Sequence, residues 1–184
     1  GHMAGYKNFY KIGRYLLLEK QIPYVSAYVF STENWSRTKE EVGYLMSLVT
    51  RALGEYLDEF HRDGVKIVVL GSREGLDKSV LKAIEKAEST TSGNKNGTLA
   101  LCFNYGGQQE IVDSAAMMVK NGLKPEAFTI ENIGKYLYQP EVPAVDLIIR
   151  TSGEQRLSGF MLWRSAYAEL YFSDKHWPDF SKSD

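Results

Sequence analysis

Five short runs of this chain, YVSAYVF at 24–30, VKIVVL at 65–70, TLALCFN at 98–104, VDLIIR at 145–150 and AELYF at 168–172, are largely apolar on both faces. Segments of helical period stand between them. A strand apolar on both faces has to be covered on both, and strands separated by helices connect most simply in parallel. The expected fold is therefore α/β, a mostly parallel central sheet flanked by helices. The clearest helix follows the first strand. There Val42, Leu45, Met46, Val49, Leu53, Tyr56, Leu57 and Phe60 form one stripe at i, i+3, i+4, i+7 spacing. Thr38 with Glu41 reads as its capping box and Gly64 as its stop. Further helices are expected over 6–19, 76–88 and 108–120, with a short one from Thr129 that ends before Pro140; 89–97 reads as a polar loop.

Composition narrows the function classes. The 184 residues carry 22 Lys and Arg against 23 Asp and Glu, a formal net charge of -1, so no global positive field exists to hold nucleic acid. The one cysteine, Cys102, lies within LALCF and reads as a small buried hydrophobe, which excludes a disulfide or zinc framework. No secretory signal is present, and no apolar run nears the roughly 18 residues of a membrane span. A cytoplasmic protein is expected, with contact at a membrane surface left open. Neither repeats nor low-complexity blocks interrupt the chain, so a single domain is expected over 1–184. Residues 1–3, Gly-His-Met, read equally as a scar of tag removal.

In a sheet of this kind ligands bind beyond the carboxyl ends of the strands. Three loops are expected to meet on that rim: FSTENWSR at 30–37, NYGGQQE at 104–110 and RTSGEQRLSG at 150–159. The last sets Arg150 and Arg156 among Ser152, Gly153, Ser158 and Gly159. Guanidinium forks bind phosphate oxygens two at a time, and glycine lets backbone N–H groups come close, so a diphosphate suits this loop. Surface pairing of the arginines with Glu154 or Asp146 is the alternative. Glu169 is a carboxylate in an otherwise apolar strand; it reads either as a hard oxygen ligand for Mg²⁺ or as an edge residue facing solvent. NYGG taken alone reads as a tight turn into a helix. The stripe between Val42 and Phe60, with Tyr6, Phe9 and Leu16, is either core or one wall of a groove for a hydrocarbon chain.

FSTENWSR, NYGG and above all DLIIRTSGEQRLSGFMLWRSAYAELYF followed by WPDF resemble cis-prenyltransferases of the undecaprenyl diphosphate synthase type. The resemblance runs from about Gly5 to Phe180. It implies the fold inferred above with a hydrophobic tunnel for the growing chain. The implied reaction condenses isopentenyl diphosphate with an allylic diphosphate, usually farnesyl diphosphate, using Mg²⁺ and making cis double bonds. Carried over by motif, Arg150, Arg156 and Ser158, with Leu157 between them, would bind isopentenyl diphosphate, and Glu169 would be the metal ligand. Asn34 would take part in proton removal, while Ser31, Thr32, Glu33, Trp35 and Arg37 would line the substrate site. A homodimer is implied, as is peripheral membrane contact through a lipid product.

The departures from that pattern matter as well. The family's Asp-Gly-Asn stretch, whose aspartate is central to catalysis and metal handling, has no match here, nor has the family's tail beyond WPDF. The expectation is thus a prenyltransferase chain shorter than the family's at both ends and catalytically incomplete for want of the key acid. His2 matches the histidine of the family's Gly-His-x-x-Gly stretch, with Gly5 as its last glycine, and would then be substrate-binding. Gln108 replaces an arginine, Gly159 an asparagine and Ser72 an aspartate. Two other readings stand beside the enzyme: a non-catalytic partner subunit of a prenyltransferase, and a nucleotide- or sugar-phosphate-binding α/β protein. The last would need a G-x-G-x-x-G turn or a P-loop, and the chain has neither.

Overall fold

The structure, a computed structural model, describes residues 2–184, His2 by its backbone only. The chain opens with α1, His2–Arg14, which passes into a π turn over Tyr15–Glu19. The single helix expected over 6–19 thus ends in a wider turn, closed by Lys20 N–H donating to Tyr15 O at 3.0 Å. Then follow β1, Tyr24–Ser31, and a 3₁₀ turn, Thr32–Ser36. Next come α2, Lys39–Glu55, and α3, Leu57–Arg62, where one helix was expected. The break falls at Tyr56, two residues after Gly54, a poor helix former, and the Tyr56 ring stacks on Tyr10 with centroids 4.0 Å apart. Thr38 caps α2, its hydroxyl accepting from Glu41 N–H at 3.3 Å, and Gly64 follows α3 with φ +73°.

β2, Lys66–Leu70, leads through Gly71 to α4, Lys78–Thr91. That helix runs three residues into the segment expected to be a polar loop. Thr91 is the reason: fully buried, its hydroxyl donates to Ala87 O at 2.8 Å and accepts from Ile67 N–H at 2.9 Å, so the helix end is tied to a strand. β3, Thr98–Tyr105, is buried at every position. It is followed by α5, Gly107–Lys120, and α6, Ile130–Tyr136. The last two strands are β4, Leu147–Arg150, and β5, Glu169–Phe172.

All strand pairs are parallel, as expected, but they make two sheets rather than one. The first has the order β1-β3-β2 and the second pairs β4 with β5. Both edges of β3 are occupied by β1 and β2, so β4 finds no edge of that central strand to join. Two apolar clusters cover the first sheet. One packs Met46, Val49, Leu53 and Phe60 of α2 and α3, with Val80 and Ile84 of α4, on Ile67, Leu99 and Leu101. The other sets Val142 and Met161 against Val68, Ala100, Cys102 and Tyr105. Cys102 is buried, as its setting predicts, and that burial pushes its thiol pKa far up.

What joins the two sheets is a buried ion pair. Arg164 Nη1 donates to Glu110 Oε1 at 2.6 Å, with side-chain exposures of 3% and 0%. The rest of that guanidinium donates to the carbonyls of Val142 and Tyr138, at 3.1 and 2.7 Å. Glu110 in turn accepts from Tyr105 Oη at 2.5 Å and from Tyr138 N–H at 3.2 Å. Val145 N–H donates to Arg164 O at 2.9 Å, which fixes the entrance to β4. Arg164→Met strips the carboxylate of its charge partner and the carbonyls of Val142, Tyr138 and Gln139 of their donor. It should lower unfolding stability by about 3–5 kcal/mol in urea titration, since the remaining charge is buried and uncompensated. Arg164→Lys, which keeps the charge without the fork, should lose less.

Candidate active site

The three loops expected on one rim do meet there. Gly107 N–H donates to Gly159 O at 2.8 Å, joining the second loop to the third. Trp35 Nε1–H donates to Asn104 Oδ1 at 2.7 Å, joining the first to the second. Tyr28, on β1, reaches across with its hydroxyl to the carbonyls of Tyr105 and Ser158, at 3.2 and 3.3 Å. Close approach explains both glycines of NYGG. A Cβ on Gly106 would stand 2.6 Å from Thr32 Oγ1, and one on Gly107 would stand 2.6 Å from Gly159 O. The Gly107 N–H is spent on a carbonyl, so the glycine pair serves loop packing.

Strain gathers at the same place. Of six non-glycine residues with positive φ among those described, Asn104, Ser152, Ser158 and Met161 belong to β3 or to the segment between β4 and β5. Held in a conformation costing about 1–3 kcal/mol each, such residues persist where surrounding contacts over-determine them. β1 carries a bulge between Tyr28 and Ser31, immediately before the first loop.

Within the third loop Arg150 and Ser158 are brought together, Nη1 donating to Ser158 Oγ at 2.9 Å and to the Arg156 carbonyl. Nη2 of Arg150 has no partner among the described residues. Arg156 instead pairs with Glu154 on the surface, both well exposed, the alternative that its spacing allowed. An exposed pair of this kind is worth only ~0–1 kcal/mol, so it costs little to break. Leu157 is half-buried between them.

In the first loop Ser31 and Asn34 cap the 3₁₀ turn reciprocally. Asn34 Oδ1 accepts from Ser31 N–H at 2.9 Å, which leaves its amide N–H₂ as the free end. Arg37 is exposed and pairs with Glu41 at 2.7 Å. Glu33 is exposed beside it, and Thr32 packs against Gly106. A cavity of about 380 Å³ opens between this loop and the exit of β2. Trp35, Arg37, Lys39, Val42 and Met46 line one side, Gly75 and Asp77 the other.

Glu169 stands apart from this group. It pairs in register with Leu147, three positions before Arg150, so it lies about 10 Å back along the strands and on the other face. It is exposed, in agreement with the edge reading. Among the described residues no three His, Cys, Asp or Glu side chains converge on one point. The His2 side chain lies outside the described residues. Sequence reasoning missed Tyr28, Asn104, Glu110 and Arg164. Only Asn104 carried a local signal, an asparagine at a strand end before two glycines, where a left-handed turn is common.

The family model of undecaprenyl diphosphate synthases matches residues 1–184. The chain belongs to that family. It is 46% identical to an isoprenyl transferase of Thermotoga maritima over 187 residues, spanning 100% of this chain and 79% of that one. It is 44% identical to a trans,polycis-polyprenyl diphosphate synthase of Thermobifida fusca described as (2Z,6E)-farnesyl diphosphate specific, over 99% of this chain and 66% of that one. Lavandulyl diphosphate synthase from Lavandula x intermedia, solved in complex with dimethylallyl diphosphate, superposes with a TM-score of 0.91 at 31% identity, covering 100% and 81%. The chain is thus a cis-prenyltransferase by family, a transferase of the polyprenyl diphosphate synthase group.

Tyr28 offers a pH test of the joint between loops. Burial raises its hydroxyl from 10.0 to about 12. A phenol that holds its proton longer folded than unfolded contributes stability that is complete below pH 10.0 and lost as pH rises through about 12. Tyr28→Phe should cost about 1 kcal/mol at neutral pH, from two long hydrogen bonds. It should also flatten the alkaline fall, both read from denaturant unfolding across that window.

Proposed function

We propose that this chain binds isopentenyl diphosphate in the loop after β4 and an allylic diphosphate, farnesyl diphosphate or a shorter one, in the cavity beside Trp35. The observation that carries the first half is the contact of Arg150 with Ser158, which aims a guanidinium and a hydroxyl at one point with a guanidinium nitrogen left over. Arg156, released from Glu154, supplies the second cation. A diphosphate offers the oxygens to use all three. The second half rests on Arg37 and Lys39, which with Asp77 line a cavity whose walls include Trp35, Val42 and Met46; Arg37, released from Glu41, and Lys39 supply cations beside apolar surface.

In the condensation the alkene of isopentenyl diphosphate forms a bond to the allylic carbon, the allylic C–O bond breaks, diphosphate leaves and a proton is lost. This chain's residues hold both diphosphates, with Arg37 and Arg150 stabilising the charge that grows on the leaving group and anchoring the attacking partner. The departing diphosphate takes the proton lost from isopentenyl diphosphate; Asn34, whose Oδ1 is held by Ser31 N–H, takes part through its amide N–H₂, donating to that diphosphate and orienting it for the transfer. A magnesium ion accompanies the diphosphate in this reading. The lone, distant Glu169 does not by itself fit a protein-held metal site: it lies three positions back from the Arg150 register, with no two further carboxylate, histidine or cysteine side chains converging on it among the described residues.

Between α1, α3 and the first sheet lies an apolar cavity of about 40 Å³ bounded by Tyr6, Phe9, Tyr10, Tyr56, Phe60 and Leu99. We place the tunnel for the growing chain along this seam; a prenyl chain enters it as the aromatic side chains move apart. The reading treats 1–184 as one domain that works as a homodimer. Leu147, Ile149 and Tyr171 form an exposed apolar face on β4 and β5, and Tyr167 is 99% exposed; a second copy would cover them. No helix of the described residues is long and apolar enough to cross a membrane. A cytoplasmic protein meeting the membrane through its lipid product completes the proposal.

Calorimetric titration with isopentenyl diphosphate and Mg²⁺ should show binding that Arg150→Ala weakens about 10- to 100-fold, the loss of a charge-assisted pair. A folded chain that binds no isopentenyl diphosphate overturns the assignment. Binding without turnover, restored to turnover only by a second, acid-bearing subunit, would favour the partner-subunit reading. In sedimentation the chain should run as a dimer and Ile149→Glu as a monomer.

A further inference from the structure

Asn104 ties together the two walls of the cavity beside Trp35. The residue is 4% exposed and sits at φ 49°. Its Oδ1 accepts from the Trp35 indole at 2.7 Å, on the wall that follows β1. Its Nδ2 donates to the carbonyls of Ser72 and Glu74, at 2.9 and 3.1 Å, on the wall that follows β2. The chemistry of the partners fixes the amide's orientation, because two carbonyls demand the N–H₂ end and an indole N–H demands the oxygen. Its main chain joins in, Ser72 N–H donating to Asn104 O at 3.1 Å. The same exit of β2 lies hard against β3, since a Cβ on Gly71 would be 1.9 Å from Phe103 O. Trp35 has one other described anchor, an edge contact with Phe30 at 5.4 Å between centroids. One buried amide therefore sets the distance between Trp35 and Arg37 on one side and Gly75 and Asp77 on the other.

We propose that Asn104 is a positioning residue for the allylic diphosphate: by holding the two walls at a fixed separation it sets affinity for that substrate and leaves the isopentenyl diphosphate loop unaffected. This rests on the reading that the cavity takes the allylic substrate. No other side chain types meet the same demand. Aspartate tolerates the left-handed backbone and still accepts from Trp35, but it turns a carboxylate oxygen towards two carbonyls. Glycine tolerates the backbone and keeps neither link. Larger apolar residues would be strained at φ 49°.

The test compares the full chain with Asn104→Asp, Asn104→Gly and Trp35→Phe, each first shown folded by thermal unfolding. Dissociation constants are measured separately for farnesyl diphosphate and for isopentenyl diphosphate, and exchange of the Trp35 indole proton is followed by NMR. Asn104→Gly should weaken farnesyl diphosphate binding about tenfold or more and speed Trp35 indole exchange, with isopentenyl diphosphate binding changed less than about twofold. Trp35→Phe should lose a similar factor, and the Trp35→Phe, Asn104→Gly double variant little more than either alone. Equal losses for both substrates would mean a merely structural role and would overturn the proposal. Unchanged farnesyl diphosphate binding with freed indole exchange would overturn it too. If the unaltered chain binds no farnesyl diphosphate, the cavity reading fails and the proposal with it. If binding is lost in Arg37→Ala but kept in the Asn104 variants, the cavity reading stands and only the positioning role is overturned.

Discussion

A guanidinium and a carboxylate buried against each other, Arg164 and Glu110, hold this fold to its working shape. The chain builds two parallel sheets that share no backbone ladder. Without a side-chain joint, β4 and β5 would have only loop packing to fix them against β3. The pair supplies that joint and saturates itself in doing so: the guanidinium meets a carboxylate and several carbonyls, and the carboxylate meets a phenol and an amide. Burying two charges is costly, and it succeeds here because nearly every donor and acceptor is matched.

The site is a consequence of that joint. Arg150 and Ser158 belong to the β4 side, while Trp35, Arg37 and Asn104 belong to the three-stranded side. Two smaller links refine the alignment, the Gly107–Gly159 backbone bond and the Tyr28 hydroxyl. Neutral hydrogen bonds of this kind are individually modest, yet they act where backbone strain is concentrated, and strain is sustained only when several contacts agree. The arrangement separates two tasks. One side of the rim holds the Arg150 guanidinium and the Ser158 hydroxyl, to which the proposal gives one diphosphate, and the other holds Arg37 and Lys39 beside the cavity, to which it gives the second.

Much of this was legible in the sequence, and the reasons differ by element. β3 was plain because a strand buried at every position is apolar at nearly every position. The α2 stripe was plain because its period is local. The extension of α4 to Thr91 was hidden, since the hydroxyl matters only through a strand N–H 24 residues away. The division into two sheets was hidden as well, because periodicity reports which faces are buried and is silent on which edges pair. Arg150 and Ser158 were legible as a motif. Glu110 and Arg164, 54 residues apart, were not, since a charge in sequence looks the same whether it is solvated or buried. Glu169 shows the converse: its strand and, as one of two readings, its exposure were legible, and its place three positions back from Arg150 was not.

The central claim is that the loop after β4 is a diphosphate cradle held in place by the rest of the fold. A crystal structure of the chain with isopentenyl diphosphate tests it most directly. The account predicts diphosphate oxygens against the Arg150 guanidinium and the Ser158 hydroxyl, with Arg156 turned from Glu154 to meet them. A diphosphate bound elsewhere, with the Arg150–Ser158 contact untouched and Arg156 still on Glu154, would contradict it.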